Sequence, residues 1–188
     1  GYLGDIAQSL TTKLNPIIVR LNELTNLSRV QPISVTGSAS NAKWHQVLEV
    51  ALNTQYSNVN YIFEVIGRNM STYELTLELE RGASGFSTER LNLYRRDSSV
   101  GSNLEFELVN DQSANVAHLY ARVPGSDWNS MNLRLKHQFH SGSYSENWEF
   151  EVVGTSIPYP ANRRTFYVGY QSGIRTYYHT GNLPNNDQ

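Results

Sequence analysis

The chain of 188 residues has no cysteine. Disulfides, thiolate zinc sites and cysteine nucleophiles are excluded together, and the redox compartment is left open. Charge is sparse as well. Asp, Glu, Lys and Arg make up 17% of the chain and the net charge is -2, against a usual charged fraction of about 25%. No global field is present to attract a phosphate backbone, which argues against a nucleic-acid partner. No apolar run approaches the roughly 20 residues a membrane helix needs, and no signal-peptide pattern opens the chain. Metalloprotease, nucleophile-elbow, phosphate-loop and dinucleotide motifs are missing. Asp97, Asp111, Asp127 and Asp187 stand singly, so there is no acidic calcium loop. The reading is therefore a protein without enzymatic activity, cofactor or metal. What stands in place of charge is Asn, Ser, Thr, Gln and Tyr, a neutral polar and aromatic surface. That mixture suits a secreted or particle-borne binding protein better than a cytosolic enzyme.

The hydrophobic pattern changes near residue 30. Before it, Leu3, Ile6, Leu10, Leu14, Ile17, Leu21 and Leu24 follow at spacings of 3, 4, 4, 3, 4 and 3. This is a coiled-coil seam with a four-residue stutter across Leu10 to Leu14. Asn15-Pro16 beside the stutter predicts a stalk over 1–29 that is kinked or split, with Asn15 capping a second helix. Each piece of about a dozen residues would be marginal alone in water. Two readings follow: a helical hairpin packed on the body of its own chain, or an intermolecular bundle. The heptad spacing favours the bundle, and Ile in both seam positions is compatible with three strands.

From Val30 onward the period is mostly two. Tyr73, Leu75, Leu77 and Leu79 share one face, while Glu74, Thr76, Glu78 and Glu80 share the other. Leu104, Phe106 and Leu108 alternate with Glu105 and Glu107. Trp148, Phe150 and Val152 alternate with Glu149 and Glu151. Met131, Leu133, Leu135, His137 and Phe139 fall on one apolar face. Further strands read at about 43–52, 58–67, 89–95, 115–123 and 164–170, separated by turn-forming clusters such as Gly82-Ala83-Ser84-Gly85. The fold class is mainly β: an antiparallel β-sandwich of jelly-roll-like topology over 30–156. Ile62 and Ile66 face opposite to Tyr61, Phe63 and Val65, so this strand is either central or covered by a neighbouring subunit. Residues 157–188 form a C-terminal part, Pro-rich and aromatic at first, then a strand pair at about 164–170 and 174–179.

Candidate binding residues are aromatic and polar. Asp127, Trp128 and Asn129 lie in one small-residue loop, Tyr144 and Asn147 in another, and Tyr159 between two prolines. Sugars offer C–H faces to rings and hydroxyls to Asn, Asp and Ser, and paratope loops use the same mixture. The same rings could instead cap the core or pack at a subunit interface. A second surface is the strand row His118, Tyr120 and Arg122, opposite the aliphatic Ala117, Leu119, Ala121 and Val123. That row is either exposed or a trimer contact. His137 and His140 are three apart, which on a strand sets them on opposite faces, so they cannot share an ion. His137 reads as a core histidine.

Tyr177-Tyr178-His179-Thr180-Gly181-Asn182-Leu183-Pro184 ends the legible pattern. Within it, Tyr178, His179, Thr180, Gly181 and Asn182 resemble a short motif near the distal ends of tailed-bacteriophage tail fibres. A helical seam leading into an all-β body, without cysteine and opening at Gly1 with no initiator Met, is similar to a distal fragment of such a fibre. The resemblance is to contractile-tailed phages of Gram-negative bacteria, an Acinetobacter phage in particular. It implies a homotrimer on the virion, outside the cell, with Leu3 to Leu24 as the trimerisation seam. It also implies attachment to a host surface glycan or outer-membrane protein, with no membrane insertion. His179 could cluster on the three-fold axis around an ion, or Tyr178 to Asn182 could be structural. The rival readings are a polysaccharide-cleaving tailspike, a purely structural domain that registers the trimer, and an animal trimeric ligand.

Overall fold

The structure, a computed structural model, describes residues 1–27, 30–34, 42–96, 103–124 and 130–170. Among these residues one α-helix, α1 (Tyr2–Leu27), precedes eleven strands: β1 (Val30–Ser34), β2 (Trp44–Leu52), β3 (Asn58–Gly67), β4 (Thr72–Gly82), β5 (Gly85–Arg95), β6 (Leu104–Asp111), β7 (Val116–Arg122), β8 (Ser130–Ser141), β9 (Tyr144–Asn147), β10 (Glu151–Gly154) and β11 (Arg163–Tyr170). The expected C-terminal strand at 174–179 lies outside the described residues.

The helix runs unbroken through Pro16, and Asn15 sits inside it instead of capping a second piece. Proline removes the donor for the Thr12 carbonyl, and on a helix with no buried residue water can take that donor's place. The reading of the stalk as two helices is thereby corrected. The packed hairpin is overturned too: the seven seam residues remain between 41% and 80% exposed.

The strands form two antiparallel sheets. One has the order β1-β8-β3-β4-β5, the other β10-β2-β7-β6-β11, with β9 also pairing along β2. In the first sheet β3, β4 and β5 meander, and β8 returns to lie beside β3, a Greek-key arrangement. Strands β9 and β10 share one edge of β2, against Glu49–Leu52 and Trp44–Gln46 respectively. The chain leaves the ladder between them, which breaks the strand expected across Trp148, Phe150 and Val152. Trp148 and Phe150 pack on the core while Val152 is exposed.

Alternation places the core between the sheets. Val59, Tyr61, Phe63, Val65, Tyr73, Leu75, Leu77 and Leu79 face inward from one side; Leu48, Val50, Leu104, Phe106, Leu108 and Leu119 face them from the other. β3 is flanked by β8 and β4, so Ile62 and Ile66 stand on the outer face of a central strand, half-buried. That outer face is laced with ion pairs, Glu78 to Arg90 at 2.9 Å and Glu64 to Arg134 at 3.3 Å among them. It is the hydrated glutamate face that the alternation implies.

One register shift has wide effects. His137 opposes Ile62 and Leu135 opposes Phe63, leaving Lys136 as an extra residue in β8. This bulge reverses the strand's parity, because side-chain facing has a period of two. Leu133 and Leu135 point into the core as expected, but His137 and Phe139 turn outward, and Gln138 and His140 turn inward. The assignment of His137 to the apolar face is thus wrong, for a local and identifiable reason.

Candidate functional site: a cleft at the root of the helix

The last turns of α1 lie over β8 and β9 and enclose a cleft of about 410 Å³. Val19, Asn22, Glu23, Thr25 and Asn26 line its helical wall. The i, i+3, i+4, i+7 spacing of Val19, Asn22, Glu23 and Asn26 makes one stripe, which at about 100° per residue lies roughly 180° around the helix from the Leu3–Leu24 seam, with Thr25 to one side of it. Each helix therefore meets its own sandwich with one face and leaves the seam on the opposite one.

Gln138, Tyr144, Ser145, Glu146 and Trp148 form the other wall. The tight β8–β9 turn aims them. Gly142 adopts φ +80°, and a Cβ there would sit 2.5 Å from Ser57 Oγ and 2.9 Å from Ser57 Cα, which demands glycine. Asn53 N–H donates to Ser143 O at 2.9 Å and ties the turn to the β2–β3 loop.

Glu146 is the hub of the cleft floor, with its side chain 9% exposed. Its Oε1 pairs with His140 Nε2, and its Oε2 accepts from Trp148 Nε1 and, at 3.2 Å, from Asn26 Nδ2. The Tyr61 hydroxyl stands 3.1 Å from His140 Nε2. Tyr144 stacks on His140 with ring centroids 3.9 Å apart, and Trp148 meets Tyr61 edge-on. Burial, then Glu146, holds the Tyr61 hydroxyl well above the usual tyrosine range; burial followed by Glu146 and Glu23 raises Tyr144. With both oxygens engaged, Glu146 orients its neighbours, and the groups left to meet a ligand are the amides, hydroxyls and rings of the walls.

A second cluster occupies the outer face of the six-stranded sheet. His118, Tyr120 and Arg122 lie there together, opposite Ala117, Leu119 and Ala121, which enter the core as expected. The row is not open, however. Tyr120 is buried with Trp44, Val109 and Ile157. His118 Nε2 lies 2.9 Å from Glu49, and Arg122 Nη2 lies 2.6 Å from Glu105, its guanidinium 4.4 Å over Trp44. Tyr159 joins this face, donating to Glu107 at 2.7 Å beneath the Arg163 guanidinium. Burial raises Glu107 above the ordinary carboxylate range and pushes Tyr120 up to about 12, with Glu49 and Glu107 adding to the latter.

The structure thus separates the sequence-derived candidates. Tyr144 is in the cleft, and Asn147 closes a turn beside it by accepting from Glu149 N–H at 2.9 Å. His118, Tyr120, Arg122 and Tyr159 form the separate, largely self-paired face. Asp127, Trp128 and Asn129, and the motif Tyr178 to Asn182, lie outside the described residues. The sequence reading missed Asn22, Glu23, Asn26, Gln138 and Glu146. The helical stripe was visible as spacing opposite the seam, whereas Gln138 depends on the bulge. Among the described residues, no three His, Asp or Glu side chains converge on a possible metal position, and no helix is long and apolar enough to cross a membrane.

Compared with known protein families, curated proteins and solved structures, the chain matches none.

Proposed function

We propose that this protein is a non-enzymatic, homotrimeric receptor-binding tip of a phage tail fibre, attaching to a glycan or other component of the host bacterial surface. The observation that carries the reading is the helix: a 26-residue element with no buried residue, whose apolar seam faces away from its own sandwich. Such a seam is unsatisfied in one chain and is satisfied by copies of itself in a coiled coil. The stripe opposite the seam then hangs each sandwich on the outside of the bundle, with one cleft per subunit turned away from the axis. Individually weak contacts would be multiplied by avidity across subunits and across fibres. The C-terminal string Tyr178 to Asn182 supports the fibre assignment and, with it, a location on the virion.

Measurements of mass, binding and cleavage test this. Sedimentation should return three times the 21.3 kDa of the chain, and a monomer would remove the proposal's main support. Labelled protein should bind host cells and block phage adsorption. Shortening of purified capsule or lipopolysaccharide chains would replace the binding role with a cleaving one. Failure to bind cells would leave a domain that only registers the trimer.

A further inference from the structure

We infer that the cleft at the root of α1 is a saccharide site for a short, uncharged sugar segment, and that it discriminates against acidic sugars. This rests on the recognition reading above and names the place and chemistry of contact. The cleft volume of about 410 Å³ falls within the roughly 300–1,000 Å³ of small-ligand sites. Its walls combine the rings of Tyr144 and Trp148 with the amides of Asn22, Asn26 and Gln138 and the hydroxyl of Ser145. Rings meet the apolar face of a pyranose, and amides and hydroxyls exchange hydrogen bonds with its edge.

Rigidity adds to the case. Tyr144 is backed by the stacked His140 ring, and Trp148 is pinned through its indole N–H to Glu146. A ring held by its neighbours loses little conformational freedom when a ligand arrives. The charge pattern supplies the selectivity. Glu23 and Glu146 both line the cleft, and among the described residues no Lys or Arg does. Arg20, the cation paired with Glu23 at 3.1 Å, is exposed on the helix surface. A uronic or sialic acid carboxylate would thus come up against the Glu23 carboxylate, with the engaged Glu146 beneath it and no lining cation among the described residues, a like-charge juxtaposition that works against binding. Neutral hexoses and N-acetylhexosamines carry no such penalty.

The test uses an array of neutral and acidic bacterial oligosaccharides, probed with the full chain and with Asn22→Ala and Ser145→Trp. Both positions are exposed, and thermal melts verify that each variant keeps its fold. Binding confined to neutral members, weakened about tenfold or more by each variant, supports the site. Binding to acidic members alone, binding undiminished in both variants, or no binding at all overturns it. Cell binding separates this inference from the wider one. If both variants bind host cells as well as the parent chain does, recognition stands and the cleft is rejected. If the parent chain binds no cells, the recognition reading itself fails.

Discussion

Asn26 in the last turns of α1 donates a hydrogen bond of 3.2 Å to Glu146 of β9, 120 positions further along the chain. Together with the Asn26–Gln138 hydrogen bond of 3.4 Å and Leu27 packed on the core, it fastens the helix to the sandwich; it shares its acceptor with Trp148, while His140 pairs with the other oxygen.

Removing that acceptor should be far more damaging than removing one donor. Glu146→Ala removes at once the acceptor shared by His140, Trp148 and Asn26, although Tyr61 still reaches His140 Nε2, so a loss of about 1–3 kcal/mol for each weakened polar group is expected in chemical denaturation. Asn26→Ala should cost about 0.5–1.5 kcal/mol. Its effect should appear as faster hydrogen exchange in the last turns of α1, with the sandwich strands unchanged. Equal losses for the two variants would show that Glu146 is not the hub.

The seam can be tested without touching the sandwich. Leu14→Glu with Leu21→Glu introduces charge where a bundle would bury leucine. Light scattering should fall from a multiple of 21.3 kDa to the monomer, while the β-sheet circular dichroism persists. An unchanged mass would assign assembly, if any, to another surface.

Pro16 lies within α1 rather than at its start. Replacing an interior helical proline with alanine recovers up to about 3 kcal/mol of helix stability. Pro16→Ala should raise the melting temperature followed at 222 nm. No increase would mean that the helix is stabilised by something the proline does not weaken.

Glu107 gives a pH signature of defined sign. Burial raises its carboxyl in the folded state, with the Tyr159 hydrogen bond and Arg122 opposing the shift. A raised acid binds its proton more tightly folded than unfolded. The associated stability is full below the unfolded value of about 4.3 and is lost as pH rises through the folded one. Glu107→Gln, which keeps an acceptor for Tyr159, should therefore be more stable than the parent near pH 7, with the margin closing toward pH 4. Parallel melting curves for the two proteins across that range would exclude this role.

Much of the architecture was legible because its causes are local. The heptad spacing of Leu3 to Leu24 is a property of neighbouring turns, and the alternation in 73–80 places Tyr73, Leu75, Leu77 and Leu79 in the core wherever the strand lies. Failures arose where a nonlocal condition intervened. Asn15-Pro16 looked like a boundary because proline opposes helix, but an exposed helix can leave one carbonyl to water. Trp148, Phe150 and Val152 alternate like a strand, yet β9 and β10 pair successive lengths of one edge of β2 and the chain crosses between them. His118, Tyr120 and Arg122 were correctly assigned to the face opposite the aliphatic one. The burial of Tyr120 with Trp44 and Ile157, and the pairing of His118 with Glu49 and Arg122 with Glu105, depend on segments far away in sequence.

By itself, the sequence determined a helix with a single apolar seam, a body of alternating strands and a surface poor in charge. Each of these follows from residue spacing or composition alone. The tertiary structure decided which side chains meet. A single unpaired residue, Lys136, inverts the parity of β8 and buries Gln138 and His140 in place of His137 and Phe139. The pairing of β9 with β2 then brings Glu146 beneath a helix that began the chain. Such outcomes rest on register and on long-range contact, and a period-two pattern carries no mark of where it will slip by one.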